Sequence, residues 1–258
     1  MTYRFFLGGR DLEMAEIRRL LHQHAPGLIE DKHLRWGAKA SDYQAELARA
    51  LDRGETPVLI ELAEDLPADL LDPTRVVVVD HHGARAGADR TTSIEQVFTL
   101  LRLPSTCWTR RLELVAVNDR AHVKGLKAAG ASLAEIAELR TLDRAEQGVT
   151  IEDEREAQRA ILTRRVVQRL TIVETTSATS SAIADQMLPE LGGPGYLRLL
   201  VAMPEQAAVF ADGPAIVELA NAYPGGWWGG ALPEAGFWGM SWPVDRRGTL
   251  AAVVDLLR

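Results

Sequence analysis

Short apolar runs alternate with amphipathic stretches along the first half of the chain. The runs Tyr3 to Leu7, Val58 to Leu62 and Val76 to Val79 have the length and residue types of strands. The last of them is apolar on both faces, which is typical of a strand inside a parallel sheet. Apolar residues at the helical period predict helices over residues 12–24, 42–53, 93–101, 112–129 and 132–144. This alternation predicts a mainly parallel sheet flanked by helices.

The second half of the chain changes in character at about residue 150. Residues 151–169 predict one long charged helix, which we interpret as a linker. Small and β-branched residues follow, and then a stretch rich in glycine and tryptophan. We therefore expect an α/β chain in three parts: an N-terminal domain over residues 1–150, the linker helix over 151–169, and a smaller C-terminal α/β domain over 170–258.

Composition excludes several classes of protein. The formal charge of −7 argues against coating of long nucleic acid, since that needs a basic surface, but leaves a short or single nucleotide open. Cys107 is the only cysteine, which excludes an intrachain disulfide and a zinc site built on several cysteines. The sequence has neither the pattern of a signal peptide nor a run long enough to span a membrane, so we expect a cytoplasmic protein.

The polar triplet Asp80-His81-His82 follows the valine run directly. Ligand sites lie at the carboxyl ends of parallel strands, and carboxylate and imidazole are the natural ligands of manganese and related divalent ions. One histidine would bind metal and the other would contact substrate, because adjacent side chains cannot both face the same way. A solvated polar strand end is the alternative.

In this setting the triplet resembles the motif that gives the DHH phosphoesterase family its name. The resemblance extends over nearly the whole chain and implies a DHH-type domain followed by a DHH-associated C-terminal domain. It implies one or two divalent ions, usually Mn²⁺ with Mg²⁺ as an alternative. The residues that it implies as metal ligands are Asp11, Glu13, Glu61, Asp80, His81 and Asp119, with His82 and Asp80 in catalysis.

Several of these residues have simpler interpretations. Acidic residues such as Asp11 and Glu13 also complement the dipole at the start of a helix. Asn118 and Asp119 suit a helix cap, and Ser93 suits an N-cap. The resemblance instead implies that Ser93, Asn118 and His122 contact the substrate.

A glycine-rich segment near the C-terminus resembles the substrate loop of the family's C-terminal domain. The implied substrate contacts are Gly225, Gly226, Trp227, Gly229 and Gly230. Glycines allow backbone amides to approach a phosphate closely, and tryptophan can stack on a base. The alternative is a glycine-rich hairpin whose tryptophans belong to the core.

The sequence also departs from the family pattern. Leu7 stands where the family has a metal-binding histidine, Glu13 and Glu61 replace aspartates, and Trp227 lies in a loop that usually carries a histidine. We expect hydrolysis of a small nucleotide or short oligonucleotide phosphate ester in an interdomain cleft. The alternatives are a non-catalytic or metal-poor nucleotide-binding regulatory protein of the same fold, or an enzyme acting on another phosphate ester. The sequence leaves a homodimer open.

Overall fold

The protein is described by a computed structural model that covers residues 2–258. The chain divides into two compact units. The first contains residues 2–81, 91–119 and 146–148, and the second contains residues 82–90, 120–145 and 149–258. Both units are α/β, as the sequence predicts. The assignment of a catalytic domain, a linker and a substrate domain to fixed ranges stays a prediction.

The first unit is built on a small parallel sheet. Its strands are β1 (Tyr3–Leu7), β2 (Ile29–Glu30), β3 (Thr56–Ile60) and β4 (Val77–Val79). Their spatial order is β2, β1, β3, β4, and each neighbouring pair is parallel. All carboxyl ends therefore meet at one edge, where polar residues after β1, β3 and β4 can converge.

Helices follow these strands at the points that the sequence signals. They are α1 (Leu12–His24), α2 (Gln44–Asp52), α3 (Ser93–Leu100) and α4 (Arg110–Ala128). Asp11 caps α1 by accepting a hydrogen bond from the backbone N–H of Met14 at 2.7 Å. One core cluster packs Phe6 and Leu59 of the sheet against Tyr43 and Leu47, all fully buried.

The valine run differs from its prediction in one respect. β4 pairs in parallel with β3, but it lies at the end of the strand order and is an edge strand. Val79 is buried, whereas Val77 and Val78 are only half-buried. An apolar run on both faces does not distinguish an edge strand from a central one, because that distinction depends on pairing elsewhere in the chain.

Helix α4 passes from the first unit to the second and is kinked at His122. This residue has φ 50° and ψ −150°, which is far from helical values and uncommon for any residue other than glycine. Two further helices of the second unit follow, α5 (Leu133–Glu146) and α6 (Ile151–Leu162).

The second unit is built on a six-stranded mixed sheet. Its strands are β5 (Arg165–Val167), β6 (Leu170–Glu174), β7 (Arg198–Ala202), β8 (Gln206–Asp212), β9 (Trp227–Gly229) and β10 (Ala235–Ser241). The spatial order is β5, β6, β7, β8, β10, β9, and β6 with β7 form the parallel pair. The remaining helices are α7 (Ser181–Gln186), α8 (Gly213–Ala222) and α9 (Arg246–Leu257).

Both faces of this sheet are covered. Val173 and Val201 pack in a core cluster with residues of α6 and α7, and Ile172 and Leu200 pack in another with residues of α8 and α9. Burial on both faces explains why consecutive residues are apolar within these strands, Ile172-Val173 in β6 and Leu199 to Ala202 in β7.

The charged helix expected over residues 151–169 is shorter than predicted. It ends at Leu162, and the following residues form β5, which pairs antiparallel with β6. The β-branched pair Val166-Val167 favours this strand, and Gln168, with φ 54°, makes the tight turn back. Among residues 2–258, no helix is both long and apolar enough to cross a membrane.

Candidate metal site

Three polar side chains meet at the carboxyl edge of the first sheet. Two of them follow strands of this sheet, and the third comes from helix α4. The ligand atoms of Glu61, His81 and Asp119 lie within 4.8 Å of one another. Nε2 of His81 lies 2.6 Å from Oδ2 of Asp119 and 3.5 Å from Oε1 of Glu61. Glu61 follows β3 directly and His81 lies two residues beyond β4, so the parallel sheet brings them together.

Glu13 completes this acidic cluster from helix α1. Its Oε2 lies 3.5 Å from Nε2 of His81, and its Oε1 accepts a hydrogen bond from the backbone N–H of Ile94 at 3.0 Å. The side chain of Glu13 is fully buried. The first turn of α3 therefore holds this carboxylate toward His81. We refer to Glu13, Glu61, His81 and Asp119 as the acidic cluster.

The backbone at Glu61 is strained. Its φ of 51° lies in the left-handed region, which residues with a side chain adopt at a cost of about 1–3 kcal/mol. Such strain persists only where the surroundings enforce it, and it concentrates at functional sites. At Glu61 the strained backbone occurs where the carboxylate is directed toward His81.

Burial and like charges alter the protonation of the cluster. Burial, followed by the negative charge of Asp119, raises the pKa of Glu13 to about 8. Burial opposes protonation of His81, but the charge of Asp119 and contacts with Asp119, Glu13 and Glu61 raise its pKa above the ordinary value. Three carboxylates around one imidazole leave a net negative charge that favours a bound cation.

The donor atoms fit a divalent ion. Oε2 of Glu13 and Oδ2 of Asp119 are buried, and neither receives an aligned hydrogen bond from residues 2–258. Buried polar atoms are normally satisfied, and a coordinated ion satisfies carboxylate oxygens as well as a hydrogen bond does. Three carboxylates and an imidazole are a donor set for manganese, iron or zinc.

Two of the expected metal ligands lie outside this group. Asp11 is buried and caps α1, so one of its oxygens is used by the helix. Asp80 precedes His81 and is half-buried, and its backbone carbonyl accepts a hydrogen bond from the side chain of Gln96 at 3.2 Å. Leu7 is fully buried in the core, and its side chain has no atom that could bind a metal.

His82 belongs to the second unit, although it follows His81 in sequence. Its ring makes an edge contact with Phe237 of β10, with the ring centroids 6.1 Å apart. A Cβ at Gly229 would lie 3.0 Å from the His82 ring and 2.9 Å from that of Phe237. Gly229 of the glycine-rich segment is therefore needed for this packing.

The glycine-rich segment forms a hairpin with a hollow at its start. β9 and β10 pair antiparallel, Trp238 is fully buried and Trp228 packs against the same core cluster, as the alternative interpretation expects. Trp227 is half-buried, lies across Gly239 and is not part of that cluster. A cavity of about 380 Å³ is nevertheless lined by Tyr223, Pro224, Gly225, Gly226, Trp227 and Met240, among others. Gly230 has φ 109° and makes the turn after β9.

The remaining expected substrate contacts are spread over both units. Ser93 is fully buried in the first turn of α3, and Asn118 is buried in α4. His122 belongs to the second unit, where its Nε2 lies 3.3 Å from Oδ1 of Asp185. Sequence reasoning did not find the partner, because Asp185 lies on α7, far along the chain.

Asp185 is the centre of a buried ion cluster in the second unit. Its carboxylate is 1% exposed and contacts the guanidinium groups of Arg140 and Arg144 as well as His122. Burial would raise the pKa of Asp185, but the charge of Arg140 and the contact with His122 hold it well below its ordinary range. The spacing of Arg140, Asp143 and Arg144 on one helix was the available signal for such a network.

Comparisons with known proteins identify the fold. No protein-family model matches the sequence, and no curated protein sequence matches it. Among solved structures, the chain resembles the DHH domain of a member of a family of ribosomal proteins. The TM-score is 0.56 and the identity 16%, over 99% of this chain and 86% of that one. It also resembles RecJ from Thermus thermophilus in complex with Mn²⁺, with a TM-score of 0.51 and 14% identity over 99% of this chain and 52% of RecJ.

These likenesses define the fold. The chain belongs to the α/β class. It has a parallel α/β unit with an acidic carboxyl edge and, after it in the sequence, a second α/β unit. Its particular fold is the DHH fold, in a strongly divergent form, so the resemblance expected from Asp80-His81-His82 is confirmed for the fold. The chain spans about half the length of RecJ.

Proposed function

We propose that the protein is a divalent-cation-dependent phosphoesterase that acts on a small nucleotide or a short oligonucleotide. The observation that carries this proposal is the buried acidic cluster at the carboxyl edge of a DHH-type sheet. Its carboxylates and imidazole lie close together, and within the described residues 2–258 neither Oε2 of Glu13 nor Oδ2 of Asp119 receives an aligned hydrogen bond. Such a set of donors is expensive to bury without a cation.

Each residue of the cluster has a defined task in this proposal. Glu61, His81 and Asp119 hold the cation, and Glu13, kept in place by the amide of Ile94, adds a fourth donor. A divalent cation supplies Lewis-acid polarisation of a phosphoryl oxygen and makes a water molecule more acidic. We propose manganese, because the similar RecJ structure contains Mn²⁺. The roles of Asp11, Asp80 and His82 as ligands or catalytic groups stay predictions.

Candidate substrate contacts are proposed for each unit by itself. In the first unit they are Ser93 and Asn118, and in the second they are His122 and the glycine-rich residues from Gly225 to Gly230. The cavity of about 380 Å³ beside Gly225, Gly226 and Trp227 would hold part of a nucleotide, and its glycines leave no side chain in the way of a phosphate. These contacts favour a substrate that combines a phosphate with an aromatic ring.

Hydrolysis by the purified chain tests the proposal. We expect Mn²⁺-dependent cleavage in a panel of mononucleotides, dinucleotides and base-free phosphodiesters, and loss of activity with a chelator. Asp119→Asn should lower both manganese affinity and turnover, the former by at least about 10-fold. An exposed variant such as Leu162→Ala serves as the control. Absence of cleavage throughout the panel, together with unchanged metal binding in Asp119→Asn, would overturn the proposal.

A non-catalytic nucleotide-binding protein is the second candidate. It is favoured by Leu7, which is fully buried and cannot ligate, and by Asp11, which is used as a helix cap. This candidate predicts that nucleotides bind in the presence of Mn²⁺ without being cleaved. Equilibrium binding and turnover measured on the same nucleotide distinguish the two.

A further inference from the structure

Trp36 is an exposed aromatic residue in the first unit. Its side chain is 44% exposed, whereas Phe5, Phe6 and Tyr43 of the same unit are at most 1% exposed. A single exposed aromatic side chain is ordinary at a protein surface, so the case for Trp36 rests on where its segment lies and on the charge of that segment.

The segment that carries Trp36 is fixed to the carboxyl edge of the sheet. The backbone N–H of Arg10, just after β1, donates to the carbonyl of Leu34 at 3.0 Å. Ala63, just beyond β3, donates to the carbonyl of Ala38 at 3.0 Å and accepts from Ala40 at 2.9 Å. Residues 34–40 are therefore joined to the chain where it leaves two strands that deliver the acidic cluster.

Two consecutive glycines place this segment and the cluster side by side. A Cβ at Gly8 would lie 2.5 Å from the backbone carbonyl oxygen of Glu61, and a Cβ at Gly9 would lie 2.8 Å from Cα of Trp36. Only glycine allows both approaches, since real Cβ atoms do not come so close to backbone. Gly8 therefore contacts the backbone of Glu61, and its neighbour Gly9 contacts the backbone of Trp36.

The charge of the segment suits an anionic ligand. Residues 32–39 contain Lys32, His33, Arg35 and Lys39 and no acidic residue, in a chain of net charge −7. Lys32 is paired with Glu46 at 3.1 Å. Arg35 is exposed beside Trp36 and has no ion pair within residues 2–258. A guanidinium next to an exposed indole can bind phosphate and base of one nucleotide.

We propose that Trp36 stacks on the base of a nucleotide whose phosphate lies at the acidic cluster, and that Arg35 contacts a phosphate oxygen of the same ligand. This inference rests on the proposed phosphoesterase function and adds a base-binding position in the first unit. The sequence alone favours Trp227 as the residue that stacks on a base, whereas this inference assigns that role to Trp36.

Equilibrium binding of two non-hydrolysable ligands tests this assignment. The ligands are a phosphonate analogue of adenosine monophosphate and the matching ribose phosphonate without a base, both measured with Mn²⁺. We expect the wild-type protein to prefer the base-bearing ligand and Trp36→Ala to lose about 5- to 150-fold of that preference. Trp36→Phe should retain part of it, and Leu162→Ala should retain all of it.

The outcomes separate this inference from the proposed function. The inference is overturned if the wild type shows no preference for the base, or if Trp36→Ala keeps that preference; loss of the preference in Trp227→Ala would then assign stacking to Trp227 instead. Cleavage of a base-free phosphodiester tests the phosphoesterase function independently. Leu162→Ala should cleave that ester like the wild type, and circular dichroism shows whether Trp36→Ala is folded.

Discussion

Nε2 of His81 lies 2.6 Å from Oδ2 of Asp119, and this contact joins the turn after β4 to helix α4. Glu13 and Glu61 approach the same imidazole at 3.5 Å. The imidazole holds three carboxylates together in the absence of a cation, and it has to give up this role when a cation is bound. The pH dependence of stability should therefore differ between the metal-free and the metal-loaded protein.

Metal-free protein should lose stability as the pH rises from about 5.5 to 8.5. The pKa of Glu13 is raised to about 8 from an ordinary value of 4.5, so the folded state holds a proton that the unfolded state has lost. One such group lowers the free energy of unfolding by up to about 1.4 kcal/mol per pH unit between its two pKa values, and by less as the pH passes the folded value. The raised pKa of His81 acts in the same direction above its ordinary value.

Denaturant unfolding in the presence of a chelator measures this trend. Glu13→Gln, which mimics the protonated acid, should flatten it. Saturating Mn²⁺ should reduce or reverse it, since ligands bind metal in their deprotonated forms. A metal-free protein whose stability rises over this range would contradict the arrangement of charges described here.

Replacement of Glu61 should separate strain from metal binding. Glu61→Gly relieves a left-handed φ of 51°, so the metal-free variant should be about 1 kcal/mol more stable than Glu61→Gln, which keeps the strain. Both variants lack the carboxylate and should bind manganese weakly. Equal stabilities of the two metal-free variants would show that the backbone at this position is not strained.

The glycines after β1 should tolerate no side chain. Gly8→Ala and Gly9→Ala place a methyl group 2.5 to 2.8 Å from backbone atoms of Glu61 and Trp36, and each should cost about 1–3 kcal/mol of stability. Gly87→Ala is the matched control, because its Cβ would closely approach only the flexible side chain of Arg90, at 3.1 Å. Thermal unfolding of the three variants tests this difference, and a loss in Gly87→Ala as large as in the other two would argue against it.

The buried ion cluster around Asp185 should be essential for the second unit. Asp185→Asn leaves the buried guanidinium of Arg140 with less compensating charge and should cost about 3–5 kcal/mol. Glu174→Gln removes an exposed partner of Arg165 and should cost less than about 1 kcal/mol. Chemical unfolding followed by circular dichroism compares the two variants. Similar losses of stability in both variants would mean that the Asp185 cluster is no more important for stability than an exposed ion pair.

Much of the first unit follows from local sequence pattern. β1 and α1 have the bounds that the apolar periods predict, and Glu61 and His81 lie after strands, as a parallel sheet requires. Their meeting could be predicted because all strands of such a sheet end at one edge.

Other features depend on contacts that local pattern does not reveal. Glu13 is held by the amide of Ile94, 81 residues away, and local sequence shows only an acidic residue in a first helical turn. The end of α6 at Leu162 depends on pairing of β5 with β6, and the edge position of β4 depends on which strand lies beside it. The kink at His122 has no glycine or proline at that position to signal it.

Anomalous diffraction at the manganese edge, on crystals grown or soaked with Mn²⁺, shows whether the acidic cluster binds the cation. We expect an anomalous peak in contact with Glu61, His81 and Asp119, and its loss in crystals of Asp119→Asn. Crystals with saturating Mn²⁺ that show no peak among these residues, or a peak that persists unchanged in Asp119→Asn, would contradict it.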